Sequence, residues 1–373
     1  MKKVACIRFA CIRFLSFTVA AVVLCASAFA QTSSPALSNL PESDAIAYIN
    51  LRRILSDVLP HVMTEKQLAE MKAEMDKLRQ STGIDPYGIE NAVLTMRLGK
   101  SATGAPAPEF LLVVRGSFNA DALLALMRIG LKGKYKEEKY GSKTLTTLNL
   151  SETLMPGGDK EIFSLPVKLS EVSVGALDSG TIALGSLDYL KAGIDAQKGE
   201  KVIKPELTAL ASRDPNSLFS IAGIIPPGLL GNLLPKEMGG NDELNKLIAG
   251  IDQIYLSIGL DTTDYTLLLT IRTGSAEHAN TLMGLAQMGV QSIGSSSKDK
   301  PLKELLKGLE ITTQDAEVQL RTRVPQTVVT ELARSMAATT KQATAAAPST
   351  PAKATTKKPT QRRATGKRPV KKP

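Results

Sequence analysis

The stretch Glu109–Met127, EFLLVVRGSFNADALLALM, contains a fold decision in nineteen residues. It opens with an unbroken apolar run of strand type and passes an arginine and a small-residue turn. Asn119 then stands at the cap position of a Leu-rich segment with helical spacing. Tyr265–Met283, YTLLLTIRTGSAEHANTLM, repeats the same order of strand, arginine, turn, cap and helix, with Ser275 in the capping role. A second pair, GTIALGSLDYLKAGI (180–194) and EVQLRTRVPQTVVTEL (317–332), is alike in the same loose way. These pairs suggest two divergent copies of a strand–helix–strand–strand–helix–strand unit, although shared patterning alone can also produce likeness this degenerate. The fold class is α+β: two related lobes, mainly antiparallel sheets, with helices on one face.

Working outward, an apolar strand pattern at Asp44–Leu51 starts the first copy after a polar lead-in, QTSSPALSNL. A helical segment follows from Arg52. Thr64 and Gln67 have capping-box spacing at the head of a helix over Glu65–Ser81, whose stripe of Leu68, Met71, Met75 and Leu78 should face a core. Strands are expected at 89–98, 109–116, 143–150, 172–177 and 181–184, with a helix at 187–196. In the second copy, strands are expected at 217–223, 253–260, 265–272 and 316–324. Helical regions fall at PPGLLGNLL, ELNKLIAGI, the segment after Ser275, and 326–336.

The chain has 373 residues, 43% hydrophobic and 22% charged, with a net charge of +10. That charge is unevenly placed. From Ala337 onward there are ten Lys and Arg and no acidic residue, and the first 30 residues hold four more bases. Residues 31–336 therefore carry 32 bases against all 36 acids, a mildly acidic body beside a detachable polycation. Lys2 and Lys3, an apolar run from Phe14 to Leu24, and Ala28-Phe29-Ala30 read as a secretory signal cleaved after Ala30. An uncleaved anchor is the competing reading, but the run is short of the roughly 20 residues a span needs. Cys25 follows Leu24 where a lipobox requires a small residue. Cys6, Cys11 and Cys25 all fall inside the signal, so the exported chain has no thiol for a disulfide, a nucleophile or a metal. Aromatic content of 4% with no Trp argues against carbohydrate platforms and base-stacking surfaces.

The expected organisation is a signal peptide at 1–30, a lead-in at 31–42, lobe 1 at 43–197, a connection at 198–216, lobe 2 at 217–336 and a disordered basic tail at 337–373. In the tail, Lys353, Lys357, Lys358, Arg362, Arg363, Lys367, Arg368, Lys371 and Lys372 form a mobile cation. It suits anionic envelope polymers, anionic lipid surfaces or, without sequence preference, extracellular nucleic acid. The alternative is a solubilising tail with no dedicated partner.

Motifs for chemistry are sparse. Asp178-Ser179-Gly180-Thr181 resembles the Asp-Ser/Thr-Gly loop of aspartic proteases, which would make Asp178 one of two catalytic carboxylates. The second copy has only Asp261-Thr262-Thr263-Asp264, where Thr263 replaces the glycine, and both pieces also suit hairpin turns. His61 and His278 are the only histidines, and no HExxH pair, P-loop or GxSxG elbow occurs. Ser295-Ser-Ser-Lys298 fits SxxK inside a polar loop. No cofactor or metal is expected. The apolar IAGIIPPGLLGNLLP (221–235) is either a buried strand-to-helix passage or part of a hydrophobic ligand site between the lobes.

The opening of the body, LPESDAIAYINL, with the later Gly-Ser/Thr-helix units, resembles an uncharacterised family of secreted bacterial proteins of no known activity. The resemblance implies only a bacterial, exported setting. The tail resembles histone-H1-like proteins in composition. Three functions follow in order: a non-enzymatic binding or scaffold protein of the envelope, a carrier of a lipid or other hydrophobic ligand, and a carboxylate-dependent hydrolase using Asp178.

Overall fold

A computed structural model describes residues 35–83, 85–100, 106–149, 171–226, 242–296 and 300–331. The first half contains β1 (Ala45–Ile49), α1 (Leu51–Arg53), a π-turn (Ile54–Val58), α2 (Leu59–Val62), α3 (Glu65–Thr82), β2 (Ile89–Lys100) and β3 (Pro106–Gly116). It continues with α4 (Ala120–Leu131), β4 (Lys136–Tyr140), β5 (Lys143–Asn149), β6 (Glu171–Asp178), β7 (Thr181–Gly185) and α5 (Leu187–Ala196). Next come α6 (Pro205–Ala211), β8 (Ser217–Ile224), α7 (Asp242–Ala249), β9 (Ile251–Leu260) and β10 (Asp264–Thr273). The last elements are α8 (Ala276–Ser296), α9 (Lys300–Lys307), β11 (Glu310–Gln314), β12 (Glu317–Pro325) and a helical turn over 326–331.

All twelve strands join one antiparallel sheet in the order β11-β12-β10-β9-β8-β1-β2-β3-β7-β6-β5-β4. The two halves meet where β1 pairs with β8, with Ala45 opposite Gly223, Ala47 opposite Ile221 and Ile49 opposite Phe219. Moving outward from this seam, β1-β2-β3-β7-β6 on one side matches β8-β9-β10-β12-β11 on the other, and the β4–β5 hairpin extends the first half. The α+β class and the antiparallel pairing are those expected from the sequence.

Two details differ from that expectation. The halves share a single sheet, and the helices lie on both of its faces. The second difference follows from strand alternation, because neighbouring residues point to opposite sides. On β3, Leu111 joins a core with Tyr189, Leu190 and Ile194 of α5 and Leu207 and Ala211 of α6. Phe110, one residue earlier, joins a second core with Ala120 and Leu124 of α4.

Local chemistry sets the helix ends. Thr64 and Gln67 form the reciprocal capping box of α3, and Gly83 closes that helix at φ 72°. The Asn119 side chain accepts from the Ala122 amide, and Ser275 Oγ accepts from the His278 amide. The stripe on α3 is less buried than its spacing suggests: Leu68, Met71 and Met75 are half-buried and Leu78 is 45% exposed.

Apolar residues of the lead-in and the connection are part of the core. Ala36, Leu37 and Leu40 are buried, and the Ile203 amide donates to the Leu40 carbonyl at 2.9 Å. Tyr189, fully buried, hydrogen-bonds Ser43 Oγ at 2.7 Å and donates to the Glu42 carbonyl at 3.1 Å. Burial raises its pKa, and the Arg97 guanidinium lies 4.3 Å from its ring centre while pairing with Glu109 at 2.6 Å. These contacts tie the segment before β1 to α5.

On the other half, Arg213 grips Glu317 with two hydrogen bonds, of 2.9 and 2.6 Å, and reaches Thr270 Oγ1 at 3.3 Å. Burial alone would raise the Glu317 pKa, but the Arg213 hydrogen bonds and charge prevail and hold it below the ordinary 4.5. As pH falls, the unfolded chain binds this proton before the folded one does. The stabilisation is therefore complete above about pH 4.5 and is lost as pH drops through the lowered value. Glu317→Gln should cost about 1–2 kcal/mol at pH 7 and progressively less below pH 4, as read by urea melts at both pH values.

Candidate functional site

The sheet face that carries α4 and α8 is apolar from side to side. Strand registers align Leu320, Leu269, Leu256, Ile221, Ala47, Leu94, Leu112, Leu184 and Val174 in one row across nine strands. A row two residues away runs Val318, Ile271, Ile254, Gly223, Ala45, Met96, Phe110. On the other side runs Leu267, Ile258, Phe219, Ile49, Ala92, Val114, Ile182. Helices cover the flanks. Ala120 and Leu124 of α4 pack over Phe110, Val174 and Ile182. On the far side Ala279 of α8 is buried, Thr313 Oγ1 donates to Asn280 Oδ1 at 3.2 Å, and Thr322 Oγ1 donates to the Leu305 carbonyl of α9.

Between these flanks no helix among the described residues covers the face. Met96 is 38% exposed, Leu98 48%, Ile221 38% and Ile258 37%, and all four point to the same side of the sheet. At the seam, β1 directs Ala45, Ala47 and Ile49 to this side and β8 directs Gly223, Ile221 and Phe219. The strands just outside direct the large residues Leu94, Met96 and Leu98 (β2) and Ile254, Leu256 and Ile258 (β9). A Cβ added at Gly223 would come no nearer than 3.7 Å to any neighbour. Ala45, Ala47 and Gly223 make a short, shallow trough between these ridges, bordered along the seam strands by Ile221, Phe219 and Ile49. One end is closed where Ile54 and Val58 of the π-turn pack with Leu218, Leu260, Tyr265 and Val329. The helical turn over 326–331 is held at that end, with Thr330 Oγ1 donating to the His61 carbonyl at 3.3 Å.

The chemistry the trough can perform is limited. β1, β2, β8 and β9 are interior strands with a hydrogen-bonded neighbour on each side, and the residues that line the trough have no polar side-chain atoms. Its walls are almost all aliphatic. Such a surface holds apolar matter by burial and does not activate a bond.

Asp178 sits in the β6–β7 turn, where its Oδ1 accepts from the Gly180 amide at 2.8 Å. It also faces Arg115, whose pKa is lowered by burial and raised in part by the Asp178 charge. Asp261 occupies the β9–β10 turn, accepting from the Thr262 amide at 3.0 Å. Four strands, β8, β1, β2 and β3, lie between those hairpins, so the two carboxylates are not brought together. His61 is exposed with Nδ1 2.9 Å from the Asp57 carbonyl, and His278 is exposed on α8. Among the described residues no group of three His, Cys, Asp or Glu could hold a metal ion. Likewise, among the described residues no helix is long and apolar enough to cross a membrane. A cleft of about 310 Å³ at Arg213, Arg272, Gln314, Asp315 and Glu317 has balanced charge, and Arg213 there is already engaged by Glu317. The segment 1–30 read as a secretory signal, the tail cations from Lys353 to Lys372 and most of 221–235 lie outside the described residues. The same holds for Lys298 of the SxxK match.

No protein-family model matches the chain, and no curated protein matches it. Among solved structures, crystal form III of TP0453 is similar with a TM-score of 0.42 and 9% identity, over 80% of this chain and 97% of that one. Crystal form IV gives 0.39 and 11% identity over 81% and 98%, and form I gives 0.40 and 9% over 81% and 97%.

As a turn residue, Asp178 should tolerate Asp178→Asn, because the amide oxygen still accepts from Gly180. The expected loss, read as a thermal melt, is within about 1 kcal/mol. A larger loss would mean that the charge facing Arg115 matters more than the turn.

Proposed function

We propose that this chain is an exported, non-enzymatic binding protein of the bacterial envelope that takes up an apolar ligand on the open trough. One observation carries the reading: three apolar rows cross the seam, and Met96, Leu98, Ile221 and Ile258 stay 37–48% exposed at its centre. A large exposed apolar surface has a cost in water that a bound ligand or partner relieves. Export is supported by the signal-like segment at 1–30. The tail, with ten bases and no acid from Ala337 onward, suits an anionic polymer or membrane surface. The matching strand order on either side of the seam supports duplication of one ancestral unit, with the trough formed where the copies join.

The test uses mature protein with and without residues 337–373. Both forms should enhance the fluorescence of an anilinonaphthalene dye, and Ile221→Glu should reduce that signal at least several-fold while the fold is retained. Only the form with the tail should sediment with anionic vesicles, fading steeply as salt rises. A body that leaves the dye dark would overturn the trough as a binding site.

A further inference from the structure

We infer that α3 is a dimerisation element: two copies of this chain join through a short parallel coiled coil of α3 against α3. The inference rests on α3 alone and not on the proposed function. The helix has 18 residues between its Thr64 cap and Gly83, a length of about 27 Å. Leu68, Met71, Met75 and Leu78 stand at intervals of three, four and three residues, the a and d positions of successive heptads. Among the described residues, none of the three buried apolar clusters includes a residue of α3. Leu68, Met71 and Met75 are only half-buried, and Leu78 is 45% exposed. The sequence thus writes a seam that the body of the protein does not bury. A second helix of the same pattern would bury it.

Charge points to a second copy as the partner, and to its direction. With Leu68 and Met75 at a, Glu74 occupies g and Arg79 the following e. In a parallel pair each g residue faces the next e residue of the other helix. Glu74 of each copy then meets Arg79 of the other, Gln67 meets Lys72, and no like charges meet. In an antiparallel pair e faces e and g faces g. That arrangement sets Lys72 against Lys72 and Glu74 against Glu74 at the centre, and only the outer Glu65–Arg79 pairs favour it. Re-pairing costs little, because the present partners are exposed: Glu74 pairs with Lys77 at 2.7 Å and Arg79 with Asp85 at 3.8 Å. Four apolar positions per helix place the contact at the small end of interface sizes, so the dimer is weak and depends on concentration.

The experiment uses protein from Gln31 to Pro373, which contains no cysteine. Sedimentation equilibrium from about 5 to about 500 μM should show a reversible monomer–dimer equilibrium. Leu78→Glu should weaken it about ten-fold or more. The melt of the dilute monomer should stay unchanged, because Leu78 lies in no buried cluster. Glu74→Arg or Arg79→Glu alone should weaken the dimer about three-fold, and the two together should restore it. With oxidised glutathione as the oxidant, Leu68→Cys and Leu78→Cys should each give a disulfide-linked dimer, and Ala73→Cys, at the outward f position, should not. Protein that stays monomeric throughout, or a dimer that Leu78→Glu leaves intact, overturns the inference. A disulfide that forms only when the Leu68→Cys and Leu78→Cys variants are mixed overturns the parallel direction. A double charge swap that fails to restore the dimer overturns the pairing of Glu74 with Arg79. None of these results bears on dye binding, so this inference and the proposed function fail separately.

Discussion

The antiparallel pairing of β1 with β8 is the contact on which the rest depends. Five residues of each strand, Ala45–Ile49 against 219–223, join two sets of strands that are otherwise each connected only to themselves. The seam also sets the character of each face. On one side Ile46 and Ala222 are sealed beneath α6 and the segment before β1. On the other, Ala45, Ala47 and Gly223 leave a depression that neighbouring ridges do not fill. Substituting large residues for those three would close the trough and leave the backbone pairing untouched, so the pairing and the cavity are chemically separable.

Much of the local structure was legible from residue type and spacing. The Thr64 box, the Asn119 and Ser275 caps and the apolar strand segments of β2, β3, β9 and β10 all appear where those signals put them. The elements that escaped lack such signals for physical reasons. β4, KEEKY, is an edge strand whose first four residues are exposed and charged, a composition that guards an edge against further pairing and hides it from pattern reading. β11 is a short edge strand of alternating exposure, and α6 has seven residues, too few for a period to register. The segment before β1 reads as polar, yet three apolar side chains in it, Ala36, Leu37 and Leu40, are enough to bury it.

The candidate site was legible only in part. Ile221 stood out within an apolar stretch, but its neighbours in the trough come from residues up to about 175 positions away in sequence, as Ala47 and Leu94 do. No local pattern reports a register between distant strands. Nor does composition reveal that β1 turns its small residues one way and Ile46 and Tyr48 the other. The Asp178 turn shows the converse case: a motif-like string whose local geometry, an Asp side chain accepting from the amide two residues on, accounts for its residues without further chemistry.

The seam also has a consequence in time. A chain delivered from its N-terminus, by a ribosome or through a translocation channel, presents β1 about 170 residues before β8. Until β8 arrives, β1 has only β2 to pair with, and the sheet cannot close across its centre. Contacts this distant in sequence slow folding. The same pairing that makes the finished sheet continuous thus keeps the growing chain open until its second half has emerged.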